Sequence, residues 1–256
     1  MDVRTAEKLI SETNEFYELH AESFSSTRES PWDGWKELLS LSNELPPCVN
    51  VLDIGCGNLR FERFLANNLH DHKIRAYAFD SCSPLTELGD DEFKEHFNQL
   101  DIMCELESGN LLESLKAHAK PCSISVAFGF MHHIPLLEWR IQLLKDMIEM
   151  TKPGGFVCVS FWQISNSEKM IAKAKKATEV GCERLGIRLE DETGDYLLDW
   201  QSDERAFRYV HDFSDSEIAS LIEAACESGA TLCKTYSADG RTGNLNRYVI
   251  LKRDID

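Results

Sequence analysis

The chain of 256 residues has no run of eighteen apolar residues, and its start, Met1-Asp2-Val3-Arg4, carries no apolar core of a signal peptide. Neither a membrane span, which needs about 20 apolar residues, nor secretion is expected, and a cytoplasmic location is. Cys-x-x-Cys pairs are absent from nine cysteines scattered at 48, 56, 82, 104, 122, 158, 182, 226 and 233. The number is odd and most lie in apolar runs, so buried free thiols are expected and a metal site is not. Basic charge is scarce: 27 Lys and Arg stand against 44 Asp and Glu, for a formal net charge of −17. Such a chain repels polyanions, because nucleic-acid affinity rests largely on phosphate neutralisation. DNA binding is not expected, and RNA binding would need a local exception to the average. Lys169, Lys173, Lys175 and Lys176 cluster in one helical segment, where a solvated helix face is the ordinary reading.

Two further absences define the most informative stretch, Val51-Leu52-Asp53-Ile54-Gly55-Cys56-Gly57-Asn58. An apolar run breaks into two closely spaced glycines, which let the backbone turn tightly against a ligand at the start of a helix. The third glycine of a dinucleotide fingerprint is missing, with Arg60 in its place, and so is the lysine of a phosphate loop. Pyrophosphate is therefore an unsuitable ligand. Asp53 at the strand end repels phosphate and suits a cationic group such as a free amine. A second apolar run, residues 74–79, ends in Asp80, about where βαβ nucleotide sites put a carboxylate on a ribose hydroxyl. An adenosine without phosphates fits both acids. With the Lys152-Pro153-Gly154-Gly155 turn before a further apolar strand, this pattern resembles the class I S-adenosylmethionine-dependent methyltransferases. The resemblance implies S-adenosyl-L-methionine as cofactor. Candidate contacts are Asp53, Gly55, Cys56, Gly57 and Asn58 in the loop, Asp80 and Ser81 after the second strand, Asp101 and Ile102 after the third, and Phe128 after the fourth.

Strand-like and helical segments alternate as a parallel sheet requires. The expected fold is α/β: a doubly wound, mostly parallel, seven-stranded Rossmann-like methyltransferase sheet forming one domain. Residues 1–46 read as an N-terminal helical cap with helices at 4–23 and 31–43, and 47–163 as the cofactor core. Within the core, 51–54, 74–79, 97–104, 123–128 and 156–161 read as strands, and 59–69 and 139–150 as helices. Residues 164–206 break the alternation and read as an insertion covering the substrate pocket. Residues 207–256 supply a helix, with Ser214 and Glu217 spaced as a capping box, and a terminal antiparallel pair. Gln99 and Asp101 are placed to reach an adenine.

The fourth strand runs into Phe128-Gly129-Phe130-Met131-His132-His133-Ile134, beyond the carboxyl end where open parallel sheets bind ligands. One of His132 and His133 is expected to face the substrate. A narrower resemblance spans nearly the whole chain. Phe24-Ser25-Ser26-Thr27-Arg28-Glu29-Ser30-Pro31-Trp32, Met131-His132-His133, Asp195-Tyr196-Leu197-Leu198-Asp199-Trp200, Arg208-Tyr209-Val210-His211-Asp212-Phe213 and Tyr248-Val249-Ile250-Leu251-Lys252 resemble, in order, the eukaryotic tRNA wobble-uridine carboxymethyl methyltransferases. That family methylates the carboxylate of 5-carboxymethyluridine in the anticodon loop, and its yeast form works with a small zinc-binding activator protein. A carboxylate is already ionised at neutral pH, so methyl transfer to it needs positioning more than a base. Arg28, Arg208 and His211 are the candidates for holding an anionic substrate, Arg through its two-point grip on carboxylates. Trp32 and Tyr209 are candidates for stacking on a base. A small-molecule carboxylate or hydroxyl methyltransferase remains the alternative, which the acidity favours, and a silent binding subunit is a third reading.

Overall fold

The computed structural model describes residues 1–88, 91–94, 96–190 and 193–255. Its apolar runs form the expected sheet. β1 (Cys48–Ile54) pairs in parallel with β2 (Lys73–Asp80) and with β4 (Cys122–Ala127). β3 (Phe97–Gln99) joins β2, and β5 (Thr151–Trp162) joins β4, both in parallel. A two-stranded excursion, β6 (Asp195–Trp200) and β7 (Asp203–His211), stands apart as its own antiparallel sheet. The terminal strands β8 (Ala230–Ala238) and β9 (Asn246–Arg253) close the main sheet, with β9 antiparallel to both β5 and β8. The seven-stranded order is β3-β2-β1-β4-β5-β9-β8. Succession runs outward from β1 to β3 and then resumes on its other side at β4, so the crevice between the carboxyl ends of β1 and β4 is the topological switch point.

Alternation within the strands divides the core into two layers. Leu52, Ile54, Val157 and Val159 face the layer shared with α5 (Ile102–Ser108), α6 (Leu111–His118), α7 (Leu137–Met150) and α9 (Asp215–Glu227). Val49, Val51, Ile124 and Val126 face the opposite layer, filled from Trp35 and Leu38 of the 3₁₀ helix Asp33–Glu44 and Phe61, Phe64 and Leu65 of α2 (Arg60–Asn68). The remaining helices are α1 (Val3–Ser26), α3 (Ser83–Glu87), α4 (Asp91–Lys94) and α8 (Glu168–Leu185). The capping box forms, with Ser214 and Glu217 satisfying each other's backbone N–H groups at the start of α9.

Three expectations need correction. The third strand ends at Gln99 because Asp101 caps α5, its Oδ1 accepting the N–H groups of Met103 and Cys104 at 3.1 Å each. The second N-terminal helix is of 3₁₀ type and begins after Trp32. The insertion runs through the β6–β7 hairpin to His211, turning at Gln201 and Ser202, whose φ values of 53° and 66° are those of a twisted hairpin turn. This excursion docks on α1. The N–H of Phe207 donates to Glu12 Oε1 at 2.7 Å and that of Tyr209 to Thr13 Oγ1 at 2.9 Å, so α1 side chains satisfy the edge β7 would otherwise leave open. Among the described residues no helix is long and apolar enough to cross a membrane.

Candidate active site

The glycine loop is held by β2: the N–H groups of Gly55 and Cys56 both donate to the Phe79 carbonyl, at 2.8 and 3.1 Å. Gly55 has φ +75°, and a Cβ there would stand 2.5 Å from the Phe130 ring, so no other residue fits. Gly57 also has positive φ, and a Cβ on it would meet only Leu85 at 3.6 Å; the space above this backbone is open to a ligand. Leu59 adopts φ 58° despite its side chain, held there by complete burial against Cys56, Ala78 and Phe93.

Asp80 closes the loop from the second strand. Its Oδ2 accepts the Gly57 N–H and its Oδ1 the Cys82 N–H, each at 2.9 Å. Each oxygen keeps a lone pair for a ligand hydroxyl. Burial pushes this carboxyl above its ordinary range, against the pull of those two N–H groups. Asp53, 3 % exposed, forms the floor. The segment after α1 is fastened over the loop: Asn58 Nδ2 donates to Ser25 Oγ and the Arg28 carbonyl at 3.0 and 3.1 Å, and Arg60 Nη1 to the Ser30 carbonyl at 3.0 Å.

These elements line an open cleft at the switch point. Its wall contains the three acids Asp53, Asp80 and Asp101, and the loop residues Gly55, Cys56, Gly57 and Asn58. Ser81, Ile102 and Phe128 complete the expected cofactor set. Opposite them stand Arg28, His132, His133 and Arg208, brought together from α1's end, the β4 loop and β7.

The two histidines divide their roles by hydrogen bonding. His133 Nδ1 lies 2.7 Å from the Tyr209 carbonyl, which can only accept, so Nδ1 carries the proton and Nε2 accepts from the Tyr17 hydroxyl at 2.8 Å. Burial, then the charge of Arg208, carries its pKa down to about 3 and keeps it neutral. His132 stacks on Trp162, with centroids 3.9 Å apart and planes at 17°, and its Nδ1 has no partner. The ring with a free nitrogen is therefore His132.

The arginines are more unusual. Arg28 lies 3.3 Å above the Phe24 ring and donates to the Phe24 carbonyl and Thr27 Oγ1 at 3.2 and 2.8 Å. Burial, followed by the charge of Arg208, lowers its pKa to about 9. Arg208 is buried among the faces of Phe16, Phe24 and Trp162, and its Nε has no partner. Among the described residues neither guanidinium forms an ion pair with a carboxylate.

His211 does not belong with them. Its Nδ1 contacts Asp195 Oδ1 at 2.8 Å and its Nε2 contacts Glu217 Oε1 at 2.9 Å, and it is absent from the cleft wall. It ties β6, β7 and α9 together. Tyr209, fully buried, donates its hydroxyl to Asp195 and is core, not a stacking surface. Gln99 is exposed and donates to the Ser81 carbonyl, outside the wall, whereas Trp32 lines it. Sequence reasoning missed Tyr17 and Trp162. Trp162 ends a parallel strand, a position that could have flagged it; Tyr17 sits within a long amphipathic helix and carries no local signal.

The His211 network gives a pH expectation. Burial raises Glu217, but hydrogen bonds from His211 and Ser214 outweigh it and carry the carboxyl down to about 2 from an ordinary 4.5. A depressed carboxyl stabilises the fold above its unfolded pKa, and that contribution is lost as pH falls from 4.5 toward 2. Glu217→Gln keeps the capping box but not the charge, so its melting temperature should fall less steeply than the wild type's over that window. Parallel acid profiles would show that the contact contributes nothing.

No family model matches the chain. It is 26% identical over 156 residues to a tRNA (carboxymethyluridine(34)-5-O)-methyltransferase of Mus musculus, a match covering 61% of this chain and 20% of that protein. It is 25% identical over 173 residues to the probable tRNA methyltransferase 9B of Homo sapiens, covering 68% and 34%. The chain thus spans between a fifth and about a third of the length of these relatives. Among solved structures, a SAM-dependent methyltransferase from Methanosarcina mazei superposes with TM-score 0.60 at 17% identity, covering 85% of this chain and 98% of that one. A chain of the Haloferax volcanii complex between the Trm112 methyltransferase activator and a methyltransferase gives 0.59 at 12% identity, covering 95% and 98%. With the strand order, the glycine loop and the two strand-end acids in place, the chain has the class I S-adenosylmethionine-dependent methyltransferase fold and resembles in sequence the tRNA carboxymethyluridine methyltransferases.

Proposed function

We propose that the protein is an S-adenosyl-L-methionine-dependent methyltransferase that methylates a carboxylate, namely that of a 5-carboxymethyl group on the wobble uridine of tRNA. The observation that carries the acceptor's chemistry is the pair Arg208, buried, and Arg28, half-buried, both lining the cleft without a carboxylate of their own. Uncompensated buried guanidiniums are costly, and an anionic substrate supplies the missing partner.

The residues present suit the cofactor. Asp80 retains lone pairs for ribose hydroxyls, the backbone at Gly57 is open, Asp101 and Ile102 edge the adenine side, and Asp53 faces the amino group. Bound there, the cofactor supplies an electrophilic methyl group. The protein's part is placement: Arg28 and Arg208 hold the acceptor carboxylate, which needs no base, while His132 and Trp162 keep water from the line of transfer. His133, neutral and held at both nitrogens, fixes Tyr17 beside Arg208. The same reading carries a cytoplasmic location and an activator subunit like that of the Haloferax complex. It is tested by mass spectrometry of tRNA nucleosides from a deletion strain, in which the methyl ester should disappear and the free carboxymethyl form accumulate.

The net charge of −17 favours the second reading, a small carboxylate acceptor. The two separate on salt. Lys169, Lys175 and Lys176 are exposed on α8, whereas Lys173 is paired with Asp199 at 2.6 Å and Arg205 with Asp203 at 2.6 Å. For an RNA substrate, reversing the first three to Glu should raise the half-saturation concentration severalfold and flatten its salt dependence. A salt-indifferent reaction, unmoved by those reversals, would turn the assignment to a small molecule.

A further inference from the structure

The cleft does not end at the arginines. Arg28, Trp32, Arg60, Trp162 and Arg208 also line a second groove, which continues past Trp200 of β6 to Asp239 and Gly240 in the β8–β9 turn and Asn246 at the start of β9. Three of the chain's five tryptophans, Trp32, Trp162 and Trp200, stand along it, so it suits a flat ring more than an aliphatic chain. Asn246 is 2 % exposed and stands opposite Trp162 in the β5–β9 register, so the two side chains leave the same face of the sheet. Asp239 fixes how its amide is turned. Asp239 Oδ2 accepts from Asn246 Nδ2 at 2.7 Å and from the Tyr248 hydroxyl at 2.6 Å, while Oδ1 accepts the Gly34 N–H at 3.2 Å. A carboxylate only accepts, so the amide nitrogen faces Asp239 and the amide oxygen points elsewhere. No donor among the described residues reaches that oxygen, Asn246 Oδ1. A buried acceptor left unpaired is costly, and an N–H arriving in the groove would relieve it.

We propose that Asn246 is a specificity-determining residue for the acceptor: the groove takes the acceptor's planar ring, Arg28 and Arg208 hold its carboxylate at the boundary with the cofactor cleft, and Asn246 Oδ1 accepts a ring N–H. The inference rests on the acceptor reading above and deepens it. In a 5-carboxymethylated uracil that donor is N3–H, since N1 carries the sugar. Asp239, itself tied to Gly34 and Tyr248, holds the amide in place before the acceptor arrives, so little ordering is left for binding to supply. A ring without the donor leaves Oδ1 buried and unpaired, and that penalty is what makes such a site selective.

The test offers the full chain two anticodon stem-loop RNAs, one carrying 5-carboxymethyluridine and the other its N3-methylated form. The preference is read in kcat/KM for methyl transfer and in binding affinity with S-adenosylhomocysteine present. The wild type should favour the first RNA by roughly ten- to hundredfold. Because the contact to the ring is the same before and during transfer, the difference belongs in KM and not in kcat. Asn246→Ala should weaken the first RNA, leave the second nearly unchanged and so remove the preference, with S-adenosylhomocysteine affinity as in the wild type. A merely structural asparagine would weaken both RNAs alike and preserve the preference. Equal treatment of the two RNAs by the wild type, which needs no variant, would overturn the role, as would a preference that survives Asn246→Ala. A wild type that takes S-adenosylhomocysteine but neither binds nor methylates either RNA would instead sink the acceptor reading, and this role with it.

Discussion

Arg28→Lys and Arg208→Lys should each lower turnover by roughly ten- to hundredfold while leaving cofactor affinity nearly unchanged. A hydrogen bond to a charged group is worth about 1.5–3 kcal/mol, and the lysine ammonium keeps the charge but loses the planar fork that grips a carboxylate at two points. If the grip forms on the acceptor as the methyl group is transferred, that loss appears in turnover, and a tenfold change corresponds to about 1.4 kcal/mol. Arg208 has more to lose, because its flat guanidinium also lies 5.1 to 5.5 Å from three aromatic rings that an ammonium fills poorly. Single-turnover kinetics with calorimetric titration of the cofactor would separate the two effects. Wild-type turnover in both variants would remove the arginines from the acceptor site.

For Asp80→Ala, affinity for S-adenosyl-L-methionine should fall by roughly ten- to hundredfold, the value of one charge-assisted hydrogen bond of about 1.5–3 kcal/mol to a ribose hydroxyl. The variant also strips the Gly57 and Cys82 N–H groups of their acceptor. Gly57 borders the cleft, so water can replace the lost carboxylate there and the fold should survive. Calorimetry that finds unchanged affinity in a folded Asp80→Ala protein would remove Asp80 from the cofactor site.

His211 shows what strand periodicity could have told. Arg208 and His211 are three residues apart on β7, an odd interval, so their side chains leave opposite faces of the strand. Arg208 faces the cleft; Tyr209 and His211, on the other face, both reach Asp195. Matching a motif had grouped 208 and 211, and the period of two would have parted them. The third strand fails for a different reason: an apolar run is compatible with strand or helix, and Asp101 decides for the helix by capping it.

The sequence by itself determined the parallel core, the glycine loop with Asp53 and Asp80 at the strand ends, the α9 capping box and the candidacy of Arg28 and Arg208. Each is a short-range pattern, set by side-chain period, by positive φ or by a three-residue capping interval. Only the tertiary structure decided that α1 seals the edge of β7 and that His133 is held neutral while His132 keeps a free nitrogen. Those depend on which surfaces meet across 76 to 196 residues of chain, and on the burial that meeting produces. Burial beside Arg208 is what keeps the His133 ring neutral, and no local pattern encodes it.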